Sequence, residues 1–501
     1  MKLWKLVGLS SALAVSAMSL VAQEVNPAAL SKQLEELLRV QKQQAEQIES
    51  LKKQIEILKG QPAIPGAKVA TPDPKIEDLE RRVSELTKDR LAKPWQPGDP
   101  IGLVRAGQSY LNLSFDGLFT VGGSTARDLG ALQTGAHDPN QRGFTVQNLE
   151  TTFEGFVDPY LRAQANIVYQ LDGNSQSLLE VEEAYLESLM LPGNLQLKAG
   201  QFFTEFGRLN PTHPHSWSFV DQPLVNGRMF GGDGFRNPGA RLSWLLPTPF
   251  FAELRLAVQN GQGGTVTSFR NDHGKGVFFG RTHTIRNTQA LRDFIFTPRL
   301  EAAWELTDSQ TLLAGVSAAF GANASGADTE TQIYGADVTW KWKPVNHTKG
   351  FPFVTWQTEA MLRKYQAGAF NNAADDANAN GVIDPGETNV FGDNSVRFVP
   401  RETLTDYGFY SQVNYGFRPG WVAGTRFDYV ASTRGQYENL FGIDAARDTR
   451  WRLSPNLTWF PSEFSKIRLQ YNYDQRQHIG VDHSLWLQFE FLLGAHAAHK
   501  F

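Results

Sequence analysis

The sharpest chemistry in the chain lies between Asp376 and Glu387. Asp376, Asn378, Asn380, Asp384 and Glu387 supply side-chain oxygens at loop positions 1, 3, 5, 9 and 12, and Gly381 stands at position 6. This is the D-x-[DN]-x-[DN]-G-x5-E spacing of a calcium loop: a hard cation needs several oxygens converging at about 2.3 to 2.6 Å, and the glycine permits the turn that gathers them. Val382 would add its backbone carbonyl. No helical pattern flanks the motif, so the expected Ca2+ site is a weak structural one that stiffens a long connection.

A second group of candidates is charged. Arg208, Asp221, Arg228 and Arg236 fall in the connection from 204 to 236, which is rich in Pro, Gly and aromatic residues. A connection of that composition, folded into a lumen, would narrow it and bring those charges to a passing solute. His213 and His215 in the same stretch have metal-ligand spacing but lack a third ligand within the loop. Arg162, Arg299, Arg426, Arg452 and Arg468 lie on the polar face of strand-like segments and would line such a lumen. Acids on the same faces, among them Glu150, Glu183, Glu301, Asp337, Glu359 and Asp428, nearly cancel them.

The elements that must hold these residues are strands. From Leu161 to Leu171 the odd positions are apolar or aromatic, while Arg162, Gln164, Asn166 and Gln170 lie between them. Phe296 to Leu306 repeats the pattern with Arg299, Glu301 and Glu305 on the opposite face. Side chains of a strand point alternately to opposite faces, so each segment has one apolar and one polar side. Sixteen such segments occupy 102–501, joined by alternately long and short connections. Turns such as Pro192-Gly193-Asn194 and Arg418-Pro419-Gly420 close the short ones. The expected fold is an all-β, 16-stranded antiparallel transmembrane barrel, apolar face to lipid and polar face to the lumen.

The N-terminal part reads differently. Lys2 and Lys5 precede an apolar run ending near Ala22, the pattern of a signal peptide over 1–22. Over 23–60, Leu34, Gln41, Ile48 and Ile55 hold one heptad position and Leu30, Leu37, Gln44, Leu51 and Leu58 the other. This predicts an α-helical coiled-coil stalk, as a dimer or a trimer, because a lone helix would leave the stripe exposed. A Pro, Ala and Gly linker over 61–75 and a short second coil over 76–90 follow. The placement expected is the bacterial outer membrane, with the stalk in the periplasm and open to envelope contacts.

Composition narrows the function classes. Cysteine is absent, so neither a disulfide nor a thiolate metal site exists. The formal net charge of −4 over 501 residues gives no steering toward nucleic acid. A mean hydropathy of −0.35 suits a barrel whose lumen and lipid residues alternate. No G-x-S-x-G, H-E-x-x-H or P-loop sequence marks an enzyme.

The segment Gly200-Gln201-Phe202-Phe203-Thr204-Glu205-Phe206-Gly207, with Glu183-Ala184-Tyr185-Leu186 before it, resembles the G-[KQ]-F-x-x-x-F-G hairpin of the phosphate-selective porin O and P type family. The terminal Phe501 is similar to the C-terminal aromatic of such barrels. The resemblance covers the barrel broadly and is specific only over 183–207. It implies a homotrimeric channel with 16 strands per subunit, for small hydrophilic solutes or ions, anions such as phosphate included. The rival expectation is a barrel plugged by its own loops that serves as envelope tether or adhesin.

Overall fold

The computed structural model describes residues 99–106, 109–132, 135–270, 277–282, 288–384, 387 and 396–494. The stretches expected to be signal peptide, stalk, linker and second coil, and Phe501, lie outside the described residues.

The chain forms β1 (Ile101–Ala106), β2 (Ser109–Ser124), β3 (Gly143–Phe156), β4 (Leu161–Leu171), β5 (Ser177–Ser188), β6 (Leu195–Phe203), β7 (Arg236–Leu245) and β8 (Phe251–Asn260). β9 (Val277–Phe278) and β10 (Arg281–Thr282) form a small ribbon. β11 (Phe294–Thr307), β12 (Gln310–Ala322), β13 (Glu330–Trp342) and β14 (Phe353–Ala367) follow, then a second ribbon of β15 (Phe370–Asn371) and β16 (Phe398–Val399). β17 (Glu402–Arg418), β18 (Trp421–Ser432), β19 (Arg450–Ser462), β20 (Ser465–Arg476) and β21 (Gly480–Leu493) complete the set. Two short helices, α1 (Leu224–Phe230) and α2 (Glu438–Phe441), lie in connections.

Sequential antiparallel pairing runs from β2 to β21, the ribbons excepted, and β21 pairs back onto β2 from Phe115↔Leu493 to Ser124↔Ser484. The result is a closed barrel of sixteen strands. Closure gives each wall strand a hydrogen-bonded neighbour on both sides and leaves no free edge. β1, which alternation did not predict, continues the seam by pairing Ser109 to Leu113 of β2 where β21 has ended.

Most wall strands are polar inside and apolar outside. On β19, Leu453 is 42% exposed, Leu457 40% and Trp459 42%, whereas Arg452, Ser454, Asn456 and Thr458 between them are buried. The alternation of connection lengths is looser than expected. Residues 172–176 and 477–479 make short turns on the long-loop end, and 343–352 is the longest connection on the other.

The lumen also departs from a wholly polar lining. Inward-facing Ile295, Ala319, Ile333, Met361, Tyr410 and Val430 pack against Phe206, Leu224, Val225, Met229, Phe230 and Phe235 of the 204–235 connection. Phe206, Phe230, Phe235 and Phe269 form a run of ring contacts with centroids 5.2 to 5.7 Å apart. One flank of the barrel therefore has an apolar core of its own.

Candidate pore constriction

The connection from β6 to β7 enters the barrel at once. Gly207, at φ +64°, turns the chain so that its N–H donates to Ser317 Oγ (3.1 Å) on β12. The next two N–H groups, of Arg208 and Leu209, donate to Glu359 Oε1 on β14 at 2.9 and 2.6 Å, and the Tyr410 hydroxyl donates to the same oxygen at 2.8 Å. A Cβ on residue 207 would stand 2.3 Å from Glu359 Oε2, so the close approach requires glycine.

The connection then crosses to the opposite wall. Lys466 Nζ donates to the His215 carbonyl at 2.6 Å, Arg468 to that of Trp217 at 2.8 Å, and Asn456 to that of Ser218 at 2.9 Å. The Val220 N–H donates to Gln470 Oε1 at 2.8 Å, and its carbonyl accepts from Gln147 Nε2 at 3.0 Å. These contacts satisfy backbone groups that the polar wall would otherwise leave buried and unpaired.

Asp221 is the hub. Its carboxylate takes Arg426 at 2.6 Å and Arg452 at 3.2 Å, and accepts from Gln470 Nε2 (3.0 Å) and Asn472 Nδ2 (2.9 Å). Burial alone would push this carboxyl up, but Arg452 and Arg426 outweigh it and hold it below the ordinary range. Arg426 also reaches Asp428 Oδ2 at 2.8 Å and stacks over Phe219 at 4.7 Å. The Leu224 N–H donates to Asp428 Oδ1 at 3.0 Å, which fixes the start of α1 against β18.

Open space lies on both sides of this crossing. One cavity of about 610 Å³ is lined by Arg162, Glu187, Lys198, Arg208, His213 and Arg255, among others, and one of about 620 Å³ shares Arg208 and adds Lys341 and Lys343. Both reach toward the short-turn end, where Phe251 and 307–309 contribute. A third, of about 690 Å³, is lined by Arg127, Asn140, Arg142 and 170–174 at the long-loop end. A separate small cavity of about 40 Å³ lies beside Asp221, lined among others by Asp138, Arg228, Arg450 and Arg452.

Of the residues singled out in the sequence, the structure brings Asp221, Arg426 and Arg452 into contact and places Arg468 against the same crossing. The others lie apart. Arg162 pairs with Glu154 at 3.0 Å on the wall of the first cavity, and Arg299 with Asp337 at 2.6 Å and Glu301 at 2.7 Å. Arg208 borders two cavities. Arg228 donates to the carbonyls of Arg447 and Asp448, and Arg236 pairs with Glu180 at 2.8 Å.

Residues 376–384 and 387 of the calcium-type motif hydrogen-bond among themselves, far in sequence from the crossing. Asp376 accepts from the N–H groups of Asn380 (3.1 Å) and Gly381 (2.7 Å), and Glu387 from those of Ala377 (2.8 Å) and Asp384 (2.6 Å). The amides of Asn378 and Asn380 both reach Asp384 Oδ2, at 2.6 and 3.0 Å, and Gly381 has φ +86°. Val382 donates its N–H to Asn380 Oδ1 at 2.8 Å.

Glu182 was not legible from the sequence. The β4–β5 register runs Asn166↔Glu183 and then Ile167↔Val181, so Glu182 is the extra residue of a β-bulge. A bulge changes the parity of a strand, and both Glu182 and Glu183 turn inward. Gln147 on β3 is the extra residue of a second bulge and is buried beside Asn148 in the same way.

No family model matches the chain. An uncharacterized protein of Aquifex aeolicus (strain VF5) is 28% identical over 381 residues, 72% of this chain and 71% of the relative. Among solved structures, the outer membrane channel DcaP of Acinetobacter baumannii aligns with a TM-score of 0.48 and 15% identity, over 78% of this chain and 99% of that one. The anion-selective porin of Comamonas acidovorans aligns at 0.43 and 7%, over 77% and 100%. OprB of Pseudomonas putida aligns at 0.43 and 10%, over 76% and 94%.

Proposed function

We propose that this chain is an outer-membrane porin that lets small hydrophilic solutes or ions diffuse passively, with small anions such as phosphate in its range. The observation that carries the reading is the inside-out barrel: a band of exposed Leu, Phe and Trp outside, charged and amide side chains inside, and cavities of 610 to 690 Å³ on both sides of an inward-folded connection. Such a wall is stable only where hydrocarbon covers it. Arg208, Lys341 and Lys343 around the second cavity support entry of anions, with Glu305 and Asp308 beside them. The subunit works as a homotrimer, with its stalk in the periplasm. Planar-bilayer recordings test the reading: discrete conductance steps support it, and a salt-gradient reversal potential on the cation side sinks the anion preference.

A second reading is favoured by the apolar cluster that fills one flank of the lumen. A barrel plugged in this way would serve as an envelope tether or adhesin and would show no conductance steps.

The 376–387 loop holds Ca2+ in this reading. Five oxygen-bearing side chains and the Val382 carbonyl fall on the motif, and its first and last acids already accept backbone N–H groups from 377, 380, 381 and 384. The residues fit a hard cation, which would supply rigidity rather than chemistry. Calorimetric titration with CaCl2, with Glu387→Gln as the control that loses the heat, tests this assignment.

A further inference from the structure

The crossing meets the wall at a second cluster, which the solute path does not explain. His213 of the connection, Glu150 of β3 and the bulge residue Glu182 of β5 bring their ligand atoms within 4.8 Å of one another, in one of three such groups among the described residues. His213 Nδ1 stands 3.1 Å from Glu150 Oε2 and 3.1 Å from Glu182 Oε2. We propose that His213 Nδ1, Glu150 and Glu182 form a site for one divalent first-row transition-metal ion that rivets the inward-folded connection to the barrel wall.

Three observations point to a metal rather than to a plain ion-pair network. First, the other ring nitrogen is already engaged: His213 Nε2 lies 3.0 Å from Glu183 Oε2, and Glu183 also accepts the Phe203 N–H at 2.9 Å. A carboxylate behind a histidine orients the ring and leaves the opposite nitrogen as a lone pair, the usual arrangement around a ligating imidazole. Without a metal ion the ring must carry a second proton on Nδ1, because a lone pair facing two carboxylates would repel them, and a bound divalent ion takes that proton's place.

Second, the contacts lack hydrogen-bond geometry. Glu182 is 0% exposed and its Oε1 lies 2.8 Å from His137 Nε2, but neither that contact nor those of His213 Nδ1 meets hydrogen-bond geometry. One ring N–H could in any case serve only one of the two carboxylates. Glu150 is held from behind, since Thr152 Oγ1 and Asn166 Nδ2 both donate to its Oε1, while its Oε2 lies 3.1 Å from His213 Nδ1 and 3.5 Å from Asn148 Nδ2 and His215 Nδ1. Ligands at about 2.1 Å from an ion are about 3.0 to 3.4 Å apart at octahedral or tetrahedral angles, and the two 3.1 Å separations fall in that interval.

Third, three buried carboxylates, Glu150, Glu182 and Glu183, converge within 3.0 to 3.1 Å of the one His213 ring. Buried like charges held this close are costly, and a divalent ion offsets their repulsion. A set of one imidazole and two carboxylates suits Zn2+, Mn2+ or Fe2+ better than the all-oxygen shell that Ca2+ takes. His213 and Glu183 also line the 610 Å³ cavity, which gives the ion an entry path and room for water in its remaining positions.

The test uses the full-length protein in detergent, stripped with a chelator and titrated with ZnSO4 in excess Ca2+, so that the 376–387 loop is saturated. One Zn2+ per chain is expected, with affinity at least about tenfold weaker in His213→Ala and Glu182→Gln. Glu183→Gln, which keeps all three ligands, is expected to weaken binding about tenfold through ring orientation alone. It serves as the conservative variant if the first two fail to fold. Co2+ substitution should give ligand-field absorption in the wild type that His213→Ala lacks. Absence of saturable Zn2+ binding in the wild type, or wild-type binding in all three variants, overturns the proposal. Neither outcome depends on whether the barrel conducts.

Discussion

Asp221 and Arg426 are separated by 205 positions in the chain and by 2.6 Å in the structure. That pair ties the middle of the inward-folded connection to β18, with Arg452 on β19 as the second arm at 3.2 Å.

Asp221→Ala should leave the buried Arg426 and Arg452 with Asp428 as their one remaining shared carboxylate. Breaking one side of a buried pair costs about 3 to 5 kcal/mol, and the crossing should detach from the wall. The expected result is larger and noisier single-channel conductance in planar bilayers. A conductance equal to the wild type would show that the crossing does not narrow the path.

At the other end of the crossing, Gly207→Ala forces a side chain into the positive-φ region, with its Cβ against Glu359 Oε2. The strain should destabilise the barrel by about 1 to 3 kcal/mol in urea unfolding from lipid vesicles. An unchanged midpoint would mean that the Arg208 and Leu209 N–H bonds to Glu359 are dispensable.

Stability should depend on pH through Asp138. Burial pushes this carboxyl up from its ordinary 3.8 to about 6, with the Asp221 carboxylate adding to the rise and N–H bonds from Gln222 and Gly135 opposing it. The folded state therefore holds the proton more tightly than the unfolded chain. The contribution is fully present below about pH 4 and is lost as pH rises through 6, up to roughly 3 kcal/mol in all. Urea midpoints measured across that window should fall more steeply for the wild type than for Asp138→Asn. Equal slopes would refute the assignment.

The two faces of one strand give a further test. Leu300 on β11 faces outward and is exposed, whereas Arg299 beside it is buried against Asp337. Leu300→Arg should cost about 2 to 4 kcal/mol near the bilayer midplane, and Leu300→Phe almost nothing. Equal tolerance of both in vesicle-based unfolding would contradict a lipid-facing Leu300.

Most of the wall was legible because a strand's two-residue period is a local property. Arg452, Ser454 and Asn456 read as one face and Leu453 and Leu457 as the other, and both faces are where alternation puts them. Glu182 was illegible for the same reason. A single extra residue inverts the parity, and nothing in the neighbouring sequence announces it. The apolar flank was missed because Ile333, Met361 and Val430 look like errors in a polar face until Phe230 and Met229 are seen packed against them.

By itself the sequence determined the sixteen strands, their order and the faces of most of their side chains, since strand period and turn chemistry are written within a few residues. Only the tertiary structure decided that the 204–235 connection crosses the lumen, that Asp221 meets Arg426 and Arg452, and that His213 meets Glu150 and Glu182. Those meetings depend on closure of the barrel and on the register of strands far apart in the chain, which no local pattern encodes.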